Sequence, residues 1–469
     1  MSPDSNMKAE VAVIGAGPGG YVAAIRLGQL GKKVFLVEED KLGGICLNYG
    51  CIPSKAMISA SEFFDKIKNT SNMGINASNV TIDFKKMQEW KNNIVSKLNK
   101  GIEFLCKKNN VIVVKGTAFF ESSNKLKVTN GKNISYIDFK KAVIATGSKP
   151  IELENFKFDG KKVISSRDAL YLEEIPKNLV VIGGGYIGLE LGTVYAKLGS
   201  KVSIVEMTDQ ILPGVDKNIV NILHNNLEKI NVEIYLNAKA DKIENNKVAV
   251  NSKEKGKVLL DADKVLVAVG RKPNTKELGL QNTKAKLDEK EFIKVNKNLK
   301  TDDDNIYAIG DISTGLMLAH KASSQGKFVA EAISGNNSSY DNFIVPAVVF
   351  TDPEVAVVGL SEEEAKEKNI KIKTGKFPFS VSSRAMTKDK TEGFVKIIAS
   401  ERDNKIIGVQ IVGSEASDLI SEAALAIKMG STLEDLASTV HPHPTLSESL
   451  MEAAEATMGK AIHILNPKS

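Results

Sequence analysis

Three cysteines, five arginines and no long apolar run in 469 residues each remove a class of protein. Cys46, Cys51 and Cys106 are too few, and odd in number, for a disulfide-stapled secreted scaffold; in a reducing compartment a surviving disulfide is more often catalytic than structural. Arg26, Arg167, Arg271, Arg384 and Arg402 are the only arginines, and no lysine run exceeds two residues. Arginine forks are what phosphate and base recognition usually uses, so the formal charge of +6 does not point to nucleic acid. No segment offers the ~18 uninterrupted apolar residues of a membrane helix, and MSPDSNMKAE has no basic stretch leading into an apolar one. The expectation is a soluble, cytoplasmic chain. With 42% hydrophobic residues it has enough apolar content for about three domains of ordinary size.

What is present is an internal echo. The order strand, Gly-x-Gly-x-x-Gly, helix, strand, Glu occurs first with Gly15, Gly17, Gly20 and Glu38, and again with Gly183, Gly185, Gly188 and Glu206. The interval from first glycine to glutamate is the same in both copies and equals one βαβ unit. Each copy also has a matching exit, KKAVIATGSKP and DKVLVAVGRKP, an apolar strand closed by glycine, a basic residue and proline. These imply a fold of class α/β, with two Rossmann-like, doubly wound dinucleotide-binding domains. We expect residues 1–148 to form the first and 149–270 the second, with 271–340 returning to the first. From about 341, VPAVVFTDPEVAVVGL, FVKIIAS and IIGVQIVG read as antiparallel strands, and 415–429 and 447–460 as helices. Residues 341–469 are therefore expected to be a separate α+β interface domain.

The glycines have a chemical reading. The first permits a tight turn, the second lets backbone approach a pyrophosphate, the third allows close helix packing, and the helix N-terminus offers unpaired N–H groups. One such turn alone also serves mere packing. Glu38 and Glu206 sit where a carboxylate can accept hydrogen bonds from a ribose diol. Between them lies LGGICLNYGCIPSKAM, residues 42–57. Two cysteines separated by four residues do not suit a zinc knuckle, and no second pair completes a tetrahedral set, so no metal is expected. Two buried thiols remain an alternative; a small-ring disulfide at a helix start is more economical given Gly43, Gly44, Gly50 and Pro53, with nearby Lys55 favouring thiolate.

GGxCxxxGCxPSK together with both glycine turns resembles the disulfide reductases of the pyridine nucleotide-disulfide oxidoreductase family, which includes dihydrolipoamide dehydrogenases and glutathione reductases. The match spans nearly the whole chain, because TDDDNIYAIGD, Thr301 to Asp311, resembles the family's second flavin motif. The resemblance implies FAD on the first glycine turn, with Gly15, Gly17, Gly20, Glu38, Lys55, Ala118, Thr146, Gly147, Ser148, Asp311, Met317, Leu318, Ala319 and His320 around it. It implies NAD on the second, with Gly183, Gly185, Tyr186, Gly188, Glu190, Glu206 and Gly270. Glu190 is expected to pair with Lys55, and Tyr186 to gate the nicotinamide. On their own residues, Asp311 reads as a helix N-cap and Glu190 as a helical surface charge. Ile45 departs from the family, where threonine is usual.

The last motif is HPHPTLSE. Pro442 and Pro444 forbid a helix around His443 and present its imidazole from a stiff loop. Thr445 and Glu448 also read as a capping box, so Glu448 alone is as readily a cap as a catalytic group. The resemblance to the lipoamide branch assigns His443 as acid–base and Glu448 as its orienter, leaving His441 structural; His224 and His463 look like ordinary helical residues. It also implies that dihydrolipoamide attacks Cys46 and that Cys51 passes the electrons on through FAD to NAD+.

Glutathione reductase is the nearest alternative, but it usually carries arginines after the second βαβ strand, whereas Glu206 is followed by MTDQILP. A different class of reading is a docking subunit of a multienzyme complex. The expected partners are a second copy in a homodimer and a lipoyl-bearing protein of a 2-oxoacid dehydrogenase, acetoin or glycine cleavage complex. No lipoyl domain is expected at the N-terminus, so the lipoyl group is expected to arrive from another protein.

Overall fold

The computed structural model describes residues 6–313, 315–336, 340 and 344–466. The expected boundary at 340/341 and the two ends of the chain fall at or in the remaining stretches. The described residues form two compact units, one from those within 1–160, 164–174 and 269–341, the other from those within 161–163, 175–268 and 342–469.

In the first unit a sheet runs in the order Ile112–Lys115, Val34–Glu38, Asn6–Ile14, Asn133–Ile144, Lys125–Asn130, Thr117–Ser122, with Ile306–Ala308 also paired to Asn133–Ile144. The four strands from Ile112–Lys115 to Asn133–Ile144 are parallel, with Ala12 opposite Phe35 on one side and Ala142 on the other. Side chains alternate along a strand, and both faces here are covered. Val11 and Val13 pack with Ala23, Ala24 and Leu27 of the helix Pro18–Gln29, while Ala12 and Ile14 face Phe120, Ile137 and Ile306. The helix Ala319–Ile333 lies so close to Pro18–Gln29 that a Cβ on Gly326 would stand 2.4 Å from the Gly19 carbonyl oxygen.

In the second unit, strands Val232–Tyr235, Lys201–Val205, Asn178–Ile182 and Lys264–Val267 are parallel in that order. The helix Tyr186–Lys197 follows its glycine turn. The antiparallel sheet of the C-terminal half has the order Ala347–Val349, Glu354–Gly359, Ile406–Gly413, Phe394–Ser400, Ile372–Pro378. Helices Ala416–Met429 and Glu448–Thr457 close it, burying Val395, Ile397, Ile411, Ala423 and Leu450 in one core. The strand Ile372–Pro378 is an addition to the sequence expectation. Two almost wholly buried lysines of this unit are ion-paired: Lys197 with Asp352 at 2.7 Å, and Lys396 with Asp216 at 2.6 Å and with Glu362.

Candidate functional site

The two glycine turns repeat atom for atom. Gly15 N donates to the Val37 carbonyl at 2.8 Å and Gly183 N to that of Val205 at 2.9 Å. Both glycines have positive φ, 92° and 106°, which a side chain would strain. A Cβ on Gly20 would stand 1.8 Å from the Gly15 oxygen, and one on Gly188 2.2 Å from the Gly183 oxygen, so the third glycine brings the helix onto the turn. At Gly17 and Gly185 an added Cβ would meet nothing within 4 Å. The space over both helix starts is open to a pyrophosphate, which makes both turns fit for a dinucleotide.

The glutamates repeat as well. Glu38 Oε2 accepts from Ala16 N at 2.6 Å and Oε1 from Asp40 N at 2.8 Å. Glu206 Oε2 accepts from Gly184 N at 2.7 Å, and Oε1 from both Thr208 N and Oγ1 at 2.8 Å. Each carboxylate thus ties the end of its second strand to the glycine turn. Burial raises the Glu38 carboxyl above the ordinary range, against the pull of the two backbone donors.

Cys46 and Cys51 are disulfide-bonded, with Cα atoms 4.6 Å apart. Cys46 lies in the short helix Gly44–Tyr49 and Cys51 opens the helix Cys51–Lys68, which carries the half-buried Lys55 one turn on. This segment sits on the first glycine turn: Gly43 N donates to the Ala16 carbonyl at 2.8 Å, and a Cβ on Gly44 would stand 2.6 Å from the Gly17 Cα. Ile45, beside the first cysteine, is 39% exposed.

On the same unit Ser148 Oγ donates to Asp311 Oδ2 at 2.6 Å and accepts from Arg271 Nε at 2.8 Å. Asp311 lies in the one-turn helix Gly310–Ile312 and is a hydrogen-bond acceptor from Ser148 rather than an N-cap. Thr146 Oγ1 donates to the Asn274 carbonyl at 2.9 Å, and Asn274 N returns to the Gly147 carbonyl at 2.9 Å. Gly147 and Gly270 both have positive φ, and their flanking segments Ser148–Pro150 and Arg271–Pro273 pair antiparallel. Ala118 is buried in its strand, and Met317 and Leu318 lead into the helix that Ala319 and His320 open. Arg271 and Asn274 went unread in the sequence; the matched exits GSKP and GRKP were the available signal.

In the second unit Tyr186 begins its helix, 41% exposed. Glu190 is buried, and its Oε1 accepts from Phe350 N at 3.0 Å, so the surface-charge alternative is corrected. His443 Nδ1 lies 2.9 Å from Glu448 Oε1, while Glu448 Oε2 accepts from Thr445 N at 2.7 Å. The reciprocal half of a capping box is not formed, because Thr445 Oγ1 donates to the Pro442 carbonyl at 2.8 Å, and the helix Glu448–Thr457 has no side-chain cap. Although burial opposes it, the donors Thr445 N and His443 hold the Glu448 carboxyl below its ordinary range. The His443 side chain is 72% exposed, which leaves Nε2 open to a substrate. His441 bonds Glu422 at 2.7 Å and the Thr439 carbonyl at 2.8 Å, as a structural histidine does. His463 is not helical as expected; it lies beyond the last helix and bonds the buried Glu452. No helix among the described residues is long and apolar enough to cross a membrane, and no metal-binding cluster occurs among them.

Comparison with known proteins agrees with this geometry. The curated relatives include the dihydrolipoyl dehydrogenase of Geobacillus stearothermophilus, 51% identical over 98% of this chain and 99% of that one, and that of Bacillus subtilis, 50% identical over the same shares. Among solved structures, the HOCl-induced flavoprotein disulfide reductase RclA from Escherichia coli superposes with a TM-score of 0.84 at 28% identity, covering 95% of this chain and 99% of that one. The pyridine nucleotide-disulphide oxidoreductase signature matches residues 9–326 and its dimerisation domain residues 345–454; the chain belongs to that family.

Proposed function

We propose that this chain is a dihydrolipoyl dehydrogenase, oxidising a protein-bound dihydrolipoamide to lipoamide and reducing NAD+ to NADH with FAD as its prosthetic group. The observation that carries the reading is the Cys46–Cys51 disulfide in a segment whose Gly43 N–H is hydrogen-bonded to a dinucleotide-type glycine turn. Relatives at about half identity bearing that name over nearly their whole length support it. The FAD part is 1–148 with 271–340, the NAD part 149–270, and the interface part 341–469.

Chemistry at the chain's own atoms follows. One thiol of the substrate attacks Cys46 Sγ, forming a mixed disulfide and releasing Cys51 as thiolate. The second substrate thiol then attacks its own mixed-disulfide sulfur, which frees lipoamide and leaves both cysteines reduced. His443 Nε2 takes the substrate proton, and Glu448, fixed by Thr445 N, holds Nδ1 and stabilises the imidazolium. FAD, when bound, supplies the two-electron relay from the dithiol to NAD+. Gly15, Gly17, Gly20 and Glu38 hold its adenosine diphosphate, with Lys55, Ala118, Thr146, Gly147, Ser148, Asp311 and 317–320 along the remainder. Gly183, Gly185, Gly188, Glu190, Glu206 and Gly270 hold NAD, and Tyr186 gates it.

The partner is a lipoyl-bearing protein of a 2-oxoacid dehydrogenase, acetoin or glycine cleavage complex, met in the cytoplasm. The direct test is anaerobic turnover of dihydrolipoamide with NAD+ against glutathione disulfide with NADPH. Turnover of the second pair and none of the first overturns the assignment.

Two further results are expected at the second glycine turn. Glu206 offers a carboxylate to the ribose, and no arginine follows it in MTDQILP, so a 2′-phosphate meets like charge. NAD+ should exceed NADP+ by about a hundredfold in kcat/KM, roughly 2.7 kcal/mol; equal constants remove Glu206 from this role. Gly188→Ala drives a Cβ into the Gly183 oxygen and must shift the helix start. Calorimetry should register NAD+ binding at least about tenfold weaker, near 1.4 kcal/mol, and undiminished affinity would separate that glycine from dinucleotide binding.

A further inference from the structure

The residues between the two cysteines are tethered from outside the loop. The helix Gly44–Tyr49 ends within it, and the carbonyls of a last turn have no intrahelical partner. One of them, Asn48 O, accepts the Tyr171 hydroxyl at 2.5 Å. The Asn48 side chain ties the loop to the residues that precede it, donating to the Leu42 and Gly44 carbonyls at 2.9 Å, and its Oδ1 accepts from Asn99 Nδ2 at 2.7 Å.

Tyr171 is itself fixed. Lys91, with no surface reaching solvent, sets its ammonium 3.8 Å from the centre of the Tyr171 ring and also donates to the Leu170 carbonyl and to Gln88. A desolvated cation against an aromatic face is a substantial attraction. Burial pushes the Lys91 ammonium down to about 8, a cost this contact offsets in part. On the neighbouring residue of the loop, the Tyr49 ring meets Tyr171 edge-on at 6.2 Å and carries the Arg167 guanidinium 3.6 Å from its centre.

We propose that Tyr171 is a positioning residue for the redox pair: held by Lys91, its hydroxyl pins the Asn48 carbonyl and keeps Cys46 and Cys51 in register when the disulfide is open. The proposal rests on the redox reading of that disulfide. In the oxidised chain the S–S bond closes the loop covalently. In the dithiol only the non-covalent tethers keep the two sulfurs together, so losing one frees backbone chiefly in the reduced state and favours it.

The test equilibrates the flavin-loaded protein anaerobically with mixtures of dithiothreitol and its cyclic disulfide. Two electrons and two protons pass from the dithiol to the pair, giving Cys46 and Cys51 as thiols; alkylation and mass spectrometry then count them. Tyr171→Phe, which keeps the ring over Lys91, should reach half-reduction at a dithiothreitol-to-disulfide ratio about three- to tenfold lower than wild type, where tenfold corresponds to about 30 mV. Lys91→Met should shift the ratio the same way, and the double variant no further than the larger single change. An unchanged ratio in Tyr171→Phe overturns the proposal even if its thermal midpoint falls, since that is the mark of packing alone. Should Tyr171→Phe not fold, an unchanged ratio in Lys91→Met overturns it equally. If the wild-type pair never takes up the alkyl label, the redox reading falls and this inference with it.

Discussion

Cys46→Ser should abolish dihydrolipoamide oxidation, lowering kcat by on the order of a thousandfold or more, because loss of the group that forms the covalent intermediate is not made up by its neighbours. The substitution removes the sulfur that accepts the substrate thiol and at the same stroke the disulfide that stores two electrons. It leaves the glycine turns untouched, so the protein should still fold, bind flavin and pass electrons from NADH to an artificial acceptor. That last activity separates a chemical defect from a collapsed site. The cysteines should also differ in colour. If Cys51 faces the flavin, Cys46→Ser leaves a thiolate there and gives a long-wavelength absorbance band, whereas Cys51→Ser loses it. The opposite colours would exchange the two roles, and undiminished lipoamide turnover in either variant would remove the disulfide from the reaction.

Both variants act on a segment that the sequence displayed openly, and the reason is local. A glycine turn, a strand beside it and a small-ring cysteine pair are patterns within about thirty residues, and each is forced by what backbone or sulfur can do there. The equal spacing from Gly15 to Glu38 and from Gly183 to Glu206 survives in the structure as matching hydrogen bonds donated by each turn to its own glutamate. Other contacts depend on residues far apart in the chain. Arg271 reaches Ser148, and Asn274 reaches Thr146, only because the two exits pair as strands. Lys91, Tyr171 and Asn48 converge from three segments with no shared motif. The strand Ile372–Pro378 was illegible for a different reason: IKTGKFP has lysines, a glycine and a proline, and its register with Phe394–Ser400 supplies the order that its propensity does not. Glu448 shows where local pattern divides evenly, since Thr-x-x-Glu fits a capping box and a histidine partner alike. The Thr445 hydroxyl goes to the Pro442 carbonyl, so the carboxylate serves His443 and Thr445 N together.

Mixing inactive Cys46→Ser subunits with inactive His443→Gln subunits should restore activity, to about a quarter of wild type. The dimerisation signature covers 345–454, and His443 and Glu448 both lie inside it. Around them the C-terminal half bares apolar side chains that a second copy can cover: Leu425 is 62% exposed, Met429 74% and Val440 93%. A two-fold dimer has one self-complementary interface in which every contact occurs twice, so a site built from the cysteines of one subunit and the His443–Glu448 pair of the other is present in two copies. In a mixed dimer one of these sites receives both substitutions, Cys46→Ser from one chain and His443→Gln from the other, and is dead. The other combines intact cysteines with an intact imidazole and works. Random reassortment of equal amounts gives about half of the molecules as mixed dimers, each with one working site of two, hence the quarter. Glu448→Gln subunits should complement Cys46→Ser in the same way, because that carboxylate acts through His443. Subunit exchange must be shown independently, by mass spectrometry of differently tagged chains. With exchange demonstrated, absence of recovery means that each chain supplies its own histidine to its own cysteines, and the shared site is refuted.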